Sequence, residues 1–276
     1  MPPDFLLLGL IVFAGIFVMT TAGFGSALVI MPLLTLTAPF DHARALMALV
    51  MLVTSPMLIW TYRHAIQLRE ITPVIIGAAP ATLVGVFLPN FVGRQPVLIT
   101  AGIVIIAYAA YAVYALTAPR VPKISSRNWG YGFGLASGLL YGSFNIGGPP
   151  VVVFATGRRW SPNTLRANVQ IQSILITFVL LAGHAFNGNI TQDVGIDLAV
   201  AVPFLIAAIL IGVRLNRYIN PTVFRRIVLA LLIVLGLQLI VSGLSVKPEA
   251  DPAPAPSASL DPVLPRHVTH QIDHAA

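Results

Sequence analysis

The chain is 276 residues long, with 57% hydrophobic and 9% charged side chains and a formal net charge of +7. Soluble domains carry about 25% charged residues, so this composition excludes a solvated globule and describes a protein of the lipid bilayer. It has no cysteine, which removes disulfides, thiolate nucleophiles and cysteine metal sites. The positive surplus reads as loop charge obeying the positive-inside rule, and no nucleic acid partner is expected.

A helix crossing about 30 Å of hydrocarbon takes roughly 20 apolar residues. Eight runs of this kind follow one another, at residues 5–37, 42–62, 71–92 and 96–116, then 129–156, 164–186, 194–213 and 221–244. The expected fold is an all-α integral membrane protein. The first run lacks the basic start and the cleavage site of a secretory signal, since Asp4 is the only charge ahead of it, and is read as mature structure. The first and fifth runs exceed one span, and glycines interrupt each at mid-membrane. The interruptions are Ala22-Gly23-Phe24-Gly25-Ser26, followed by Pro32, and Ser143-Phe144-Asn145-Ile146-Gly147-Gly148-Pro149-Pro150. Glycine opens a helix and proline cannot extend one backward. Irregular backbone at bilayer depth survives only where protein or a wet cavity satisfies its polar groups, so both interruptions point at a cavity. Past the last run, Lys247-Pro248-Glu249 opens a Pro/Ala/His-rich tail over residues 246–276 that is expected to be disordered.

Sliding the chain on itself by about 122 residues brings Ala14 onto Ala136, Gly25 onto Gly147, Val29 onto Val151, Arg44 onto Arg166 and Ala45 onto Ala167. Asp41 then meets Asn163, both good N-cap types for the helix that follows. The expected organisation is a first transmembrane repeat over residues 1–117, a basic connecting loop over 118–128 and a second repeat over 129–245, each of four segments with the first one broken. Duplicated halves with interrupted helices at corresponding places are the sequence pointer to a secondary transporter whose site lies at the repeat interface. In the second half Arg158, Arg159, Arg166, Arg214 and Arg217 fall in the first and third loops, whereas in the first half Arg63 and Arg69 fall in the middle loop. If each broken segment turns back, so that each half crosses an odd number of times, both basic sets reach the cytoplasm and the repeats are inverted. Simple crossings would make them parallel.

Candidate chemistry is cationic and neutral. Asp41, Glu70, Asp193 and Asp197 all sit at segment ends, which disfavours a carboxylate-based sodium site, proton relay or hydrolase. Arg44 and Arg166 stand at equivalent positions near the start of the second segment of each half, where a planar guanidinium suits carboxylate, sulfonate or sulfite oxygens. The alternative is an arginine reaching to lipid phosphates. Helix starts after Gly25 and Gly147 present unpaired N–H groups to an anion. The candidate substrate-binding set is therefore Gly23, Phe24, Gly25, Ser26 and Arg44 in the first half. In the second half it is Asn145, Ile146, Gly147, Gly148 and Arg166, with Gln170 and Ser173 sharing one face of the sixth run. Close helix packing is the competing role for glycines such as Gly15, Gly134 and Gly138. No His or carboxylate spacing suggests a metal, no cofactor is implied, and no P-loop signature supplies an ATPase.

These residues carry a resemblance. The broken first helix, from Ala14-Gly15 through Gly23-Phe24-Gly25-Ser26 to Met31-Pro32-Leu33-Leu34, is repeated as Ser137-Gly138 through Asn145-Ile146-Gly147-Gly148-Pro149-Pro150. It resembles the TauE/SafE sulfite exporter family over residues 5–244. Arg44-Ala45 and Arg166-Ala167 fit the family's basic-residue-then-alanine opening of the second helix, while Met47-Ala48 and Val169-Gln170 depart from the small and hydroxyl residues that often follow. The resemblance implies a multi-pass inner-membrane permease that moves a small anion such as sulfite or a sulfonate, coupled to protons. A membrane-embedded lipid-modifying enzyme and a passive anion channel are the alternatives. Self-association as a homodimer is left open by the sequence.

Overall fold

The computed structural model describes residues 5–117, 122–215, 218 and 221–245. The tail over 246–276 and the start of the connector, 118–121, lie outside the described residues. Among the described residues the chain folds into α1 (Phe5–Ala22), α2 (Ser26–Thr37), α3 (Phe40–Tyr62, continued by a 3-10 turn at Arg63–Ala65), α4 (Leu68–Val92) and α5 (Arg94–Thr117). These are followed by α6 (Trp129–Phe144), α7 (Gly148–Gly157), α8 (Pro162–Phe186), α9 (Gln192–Leu215) and α10 (Pro221–Ser245). Seven of them, α1, α3, α4, α5, α8, α9 and α10, contain a stretch long and apolar enough to cross a membrane. The chain is a multi-pass membrane protein. The fifth apolar run does not give one spanning helix, because its break divides it into α6 and α7, of 16 and 10 residues.

The two breaks have different causes. Between α1 and α2 the backbone turns through Gly23 at φ 93° and Gly25 at φ 101°, in the left-handed region that glycine enters without steric cost. Between α6 and α7 the left-handed residue is Asn145, at φ 58°, which its short amide tolerates, while Gly147 keeps an ordinary φ of −92°. Pro149 and Pro150 then open α7, where their missing N–H groups cost nothing.

After each break the chain doubles back. Ile30 of α2 packs against Gly15 of α1, and the Phe154 ring of α7 lies against Gly130 at the start of α6. Each hairpin docks on a distant helix. α1 runs beside α9 with Gly9 against the Phe204 ring and Gly212 against Thr20, so the two are parallel. α6 runs beside α4 in the same sense, with Gly134, Gly138 and Gly142 seated on the carbonyls of Val74, Ala78 and Thr82. Association in lipid depends on such close backbone approach, because lipid tails are as apolar as the side chains they would otherwise meet. α3 packs on α8, and α5 on α10 through Gly102 and Gly236.

The ends of the bundle differ in charge. Arg158, after α7, forks onto Glu70 at the start of α4, Nε and Nη2 each donating at 2.9 Å, and the Gln67 N–H donates to Asn168 Oδ1 of α8. Ile124 of the connector donates its N–H to the Gly157 carbonyl, and Trp60 and Arg214 flank one crevice. Arg63, Arg69, Lys123, Arg127, Arg158, Arg159 and Arg214 therefore share one end. At the other end His42 Nε2 and Asp197 Oδ2, 2.7 Å apart, join the starts of α3 and α9. Asp197 is thus not a segment-end residue. α9 begins at Gln192, ahead of the apolar run, and carries Asp197 into a buried position.

Asp41 and Asn163 are not N-caps either. Pro39 and Ser161 hold those positions, and Ser161 accepts from the Thr164 N–H. Asp41 and Asn163 lie inside the first turns, where each accepts from the arginine three residues on, at 2.9 Å and 3.2 Å.

Candidate functional site

The doubled-back hairpins bring the two breaks to one cavity. Phe24, Gly25 and Ser26 line it from the first break, and Asn145, Ile146 and Gly148 from the second. Ser173 of α8 joins them. α2 and α7 both begin at this cavity, so the unpaired N–H groups of their first turns, and their positive dipole ends, border it. The volume is about 30 Å³, room for a single water. No charged side chain lines the wall.

The polar groups are buried and poorly matched to one another. Ser26 Oγ has only thioether sulfurs for partners, Met19 Sδ at 3.2 Å and Met51 Sδ at 3.7 Å. Tyr141 Oη and Ser173 Oγ are 2.6 Å apart, an arrangement of two hydroxyl donors sharing one hydrogen bond. Asn145 Nδ2 donates to the Arg44 carbonyl at 2.7 Å, whereas its Oδ1 has no partner although the residue is 3% exposed.

The remaining expected residues stand behind this wall. Gln170 Nε2 points at Met19 Sδ, 3.5 Å away, and its Oε1 is buried without a partner. Gly147 leaves room for the Tyr141 ring, and its carbonyl accepts from Ser137 Oγ at 2.7 Å, which in turn accepts from Gln172 Nε2. Gly23 abuts the Arg166 side chain. Neither guanidinium lines the cavity, because each is already engaged at a helix end. Arg44, 1% exposed, donates through Nη2 to the carbonyls of Gly142 at 2.6 Å and Val86 at 3.0 Å, and through Nη1 to Asp41. Arg166 donates to the Thr21 carbonyl at 2.8 Å. Gly142 and Thr21 belong to the last turns of α6 and α1, so each arginine neutralises the negative end of a broken helix from the other half of the chain. Among the described residues no three His, Asp or Glu side chains gather as a metal site.

Met19, Met51 and Tyr141 were not legible as site residues, since Met and aromatic side chains in apolar runs read as core. The internal offset held the signal. It sets Met19 on Tyr141 and Met51 on Ser173, so a thioether pair in one half answers a hydroxyl pair in the other.

Residues 7–239 match the family of sulfite exporters called TauE/SafE. The chain belongs to that family. A probable sulfite/organosulfonate exporter TauE of Cupriavidus necator is 25% identical over 236 residues, covering 84% of this chain and 92% of that protein. No solved structure matches the chain. TauE/SafE proteins are membrane transporters, so the lipid-modifying enzyme falls away as a reading of these residues.

Proposed function

We propose that the chain is an inner-membrane secondary transporter that carries a small anion, sulfite or an organosulfonate, by alternating access. The anion binds between Gly25, Ser26, Asn145, Gly148 and Ser173, with Arg44 and Arg166 holding the helix ends that shape the site. The observation that carries this is the convergence of both helix breaks, and both helix starts, on one buried cavity. Interrupted helices whose N-termini meet at a shared cavity supply an anion site without a dedicated cation. At about 30 Å³ the cavity is too small for sulfite, so on this reading the two breaks must move apart to admit the anion.

The two hairpins also support inverted repeats over residues 5–117 and 129–245. A hairpin followed by three crossings reverses the start of the second half relative to the first, and it gathers the basic residues named above at one end. The positive-inside rule makes that end cytoplasmic. Energy then comes from an ion gradient, protons on the family resemblance.

Purified protein in liposomes should exchange labelled sulfite or methanesulfonate with saturable kinetics. Linear flux without saturation would make it a passive channel, and no flux above protein-free liposomes would remove the transport reading.

A further inference from the structure

Resting on that reading of the cavity, we infer that the transported species is a monoanion: hydrogensulfite or a sulfonate, and not the sulfite or sulfate dianion. The desolvation cost of a buried ion rises with the square of its charge, and fixed charges of opposite sign are the usual means of offsetting it. This wall has none. Its donors are neutral: Ser26 Oγ, the spare hydroxyl hydrogen of the Tyr141–Ser173 pair, and the first N–H groups of α2 and α7. Pro149 and Pro150 further thin the donors at the start of α7. The guanidiniums of Arg44 on α3 and Arg166 on α8 stand outside the wall, their Nη groups on the Gly142 and Thr21 carbonyls and on Asp41 and Asn163, and each keeps one buried Nε–H without a partner; Tyr141 of α6 is the titratable side chain on the wall itself.

The acceptors favour hydrogensulfite in particular. Asn145 Oδ1, of a residue that lines the wall, and Gln170 Oε1, of a residue beside Met19, are buried carbonyl oxygens without a hydrogen-bond partner. A buried acceptor left without a donor is unfavourable, and one facing a bare dianion would also repel it. Hydrogensulfite brings a hydrogen that such an oxygen accepts. The mixture of neutral donors and orphan acceptors therefore matches a protonated oxyanion, while Met19 and Met51 offer flexible apolar sulfur that yields to the alkyl group of a sulfonate.

The experiment uses the wild-type chain in liposomes with equal internal and external pH. Initial flux of sulfite, methanesulfonate and sulfate is measured from slightly acid to slightly alkaline pH, across the range in which hydrogensulfite loses its proton. Methanesulfonate is a monoanion throughout and reports any pH effect on the protein itself. The expected result is a several-fold fall in sulfite flux on going alkaline, relative to methanesulfonate, with sulfate at background. Sulfite flux that holds steady or rises relative to methanesulfonate, or sulfate carried comparably, overturns the monoanion assignment while leaving the transport function standing. Flux of none of the three removes the function and this inference together.

Discussion

Arg44 donates to the carbonyl of Gly142, and so a side chain of α3 closes the last turn of a helix that begins far later in the chain. Replacing it strands the buried Gly142 carbonyl in the last turn of α6, at about 1–3 kcal/mol, and also removes the second contact to the Val86 carbonyl inside α4. Arg44→Gln should therefore lower the thermal unfolding temperature in detergent clearly more than Arg166→Gln, whose side chain is partly exposed and meets one carbonyl. Equal losses would mean that burial at the α6 end is not what the arginine serves.

Ser26 offers the complementary case. Its hydroxyl faces sulfur, a weak acceptor, so its removal leaves little unsatisfied in the resting protein. Ser26→Ala should raise the KM for sulfite about 5-fold, the equivalent of one hydrogen bond of about 1 kcal/mol, with the unfolding temperature unchanged. An unchanged KM would take Ser26 out of the site.

The seam between α4 and α6 predicts a sharp contrast among glycines of one helix. A methyl at Gly138 would strike the backbone of Ala78, whereas one at Gly132 meets nothing within 4 Å. Gly138→Ala should cost about 1–3 kcal/mol through separation of the two helices, and Gly132→Ala should be neutral or slightly stabilising. Folded yield by size-exclusion chromatography and thermal unfolding measure both.

Arg158 and Glu70 form a two-pronged pair that also reaches the carbonyls of Ile124 and Ser125. Lysine keeps the charge but loses the fork, so Arg158→Lys should still destabilise the protein, by about 1–2 kcal/mol, visible as a lower unfolding temperature.

Because the chain contains no cysteine, single introduced cysteines report topology without a background to remove. With the basic end in the cytoplasm, a membrane-impermeant thiol reagent applied to intact cells should label Asp193→Cys and spare Lys123→Cys until the membrane is opened. The reverse pattern would invert the orientation.

The sequence shows the helices and both breaks because glycine, proline and asparagine act locally, through the φ values they permit. It shows neither where the hairpins dock nor what the arginines hold, because those contacts join residues far apart in the chain, as Arg166 and Thr21 do. The recurrence of Asp41 with Arg44 and of Asn163 with Arg166 is real at the level of residues, yet it records an acceptor three positions before each arginine and not a helix cap. The pairing of His42 with Asp197 was not legible for the same reason: the two residues lie 155 positions apart and meet only once α3 and α9 are laid side by side.

The docking of α1 on α9 sets an order of events during synthesis. When α1 leaves the ribosome and enters the membrane, the helix it will lie against is still most of the protein away from being made. Its glycine at position 9 and its threonine at position 20 have no Phe204 ring and no Gly212 to pack on until then. The seam between α1 and α9 therefore closes only after most of the chain has been made.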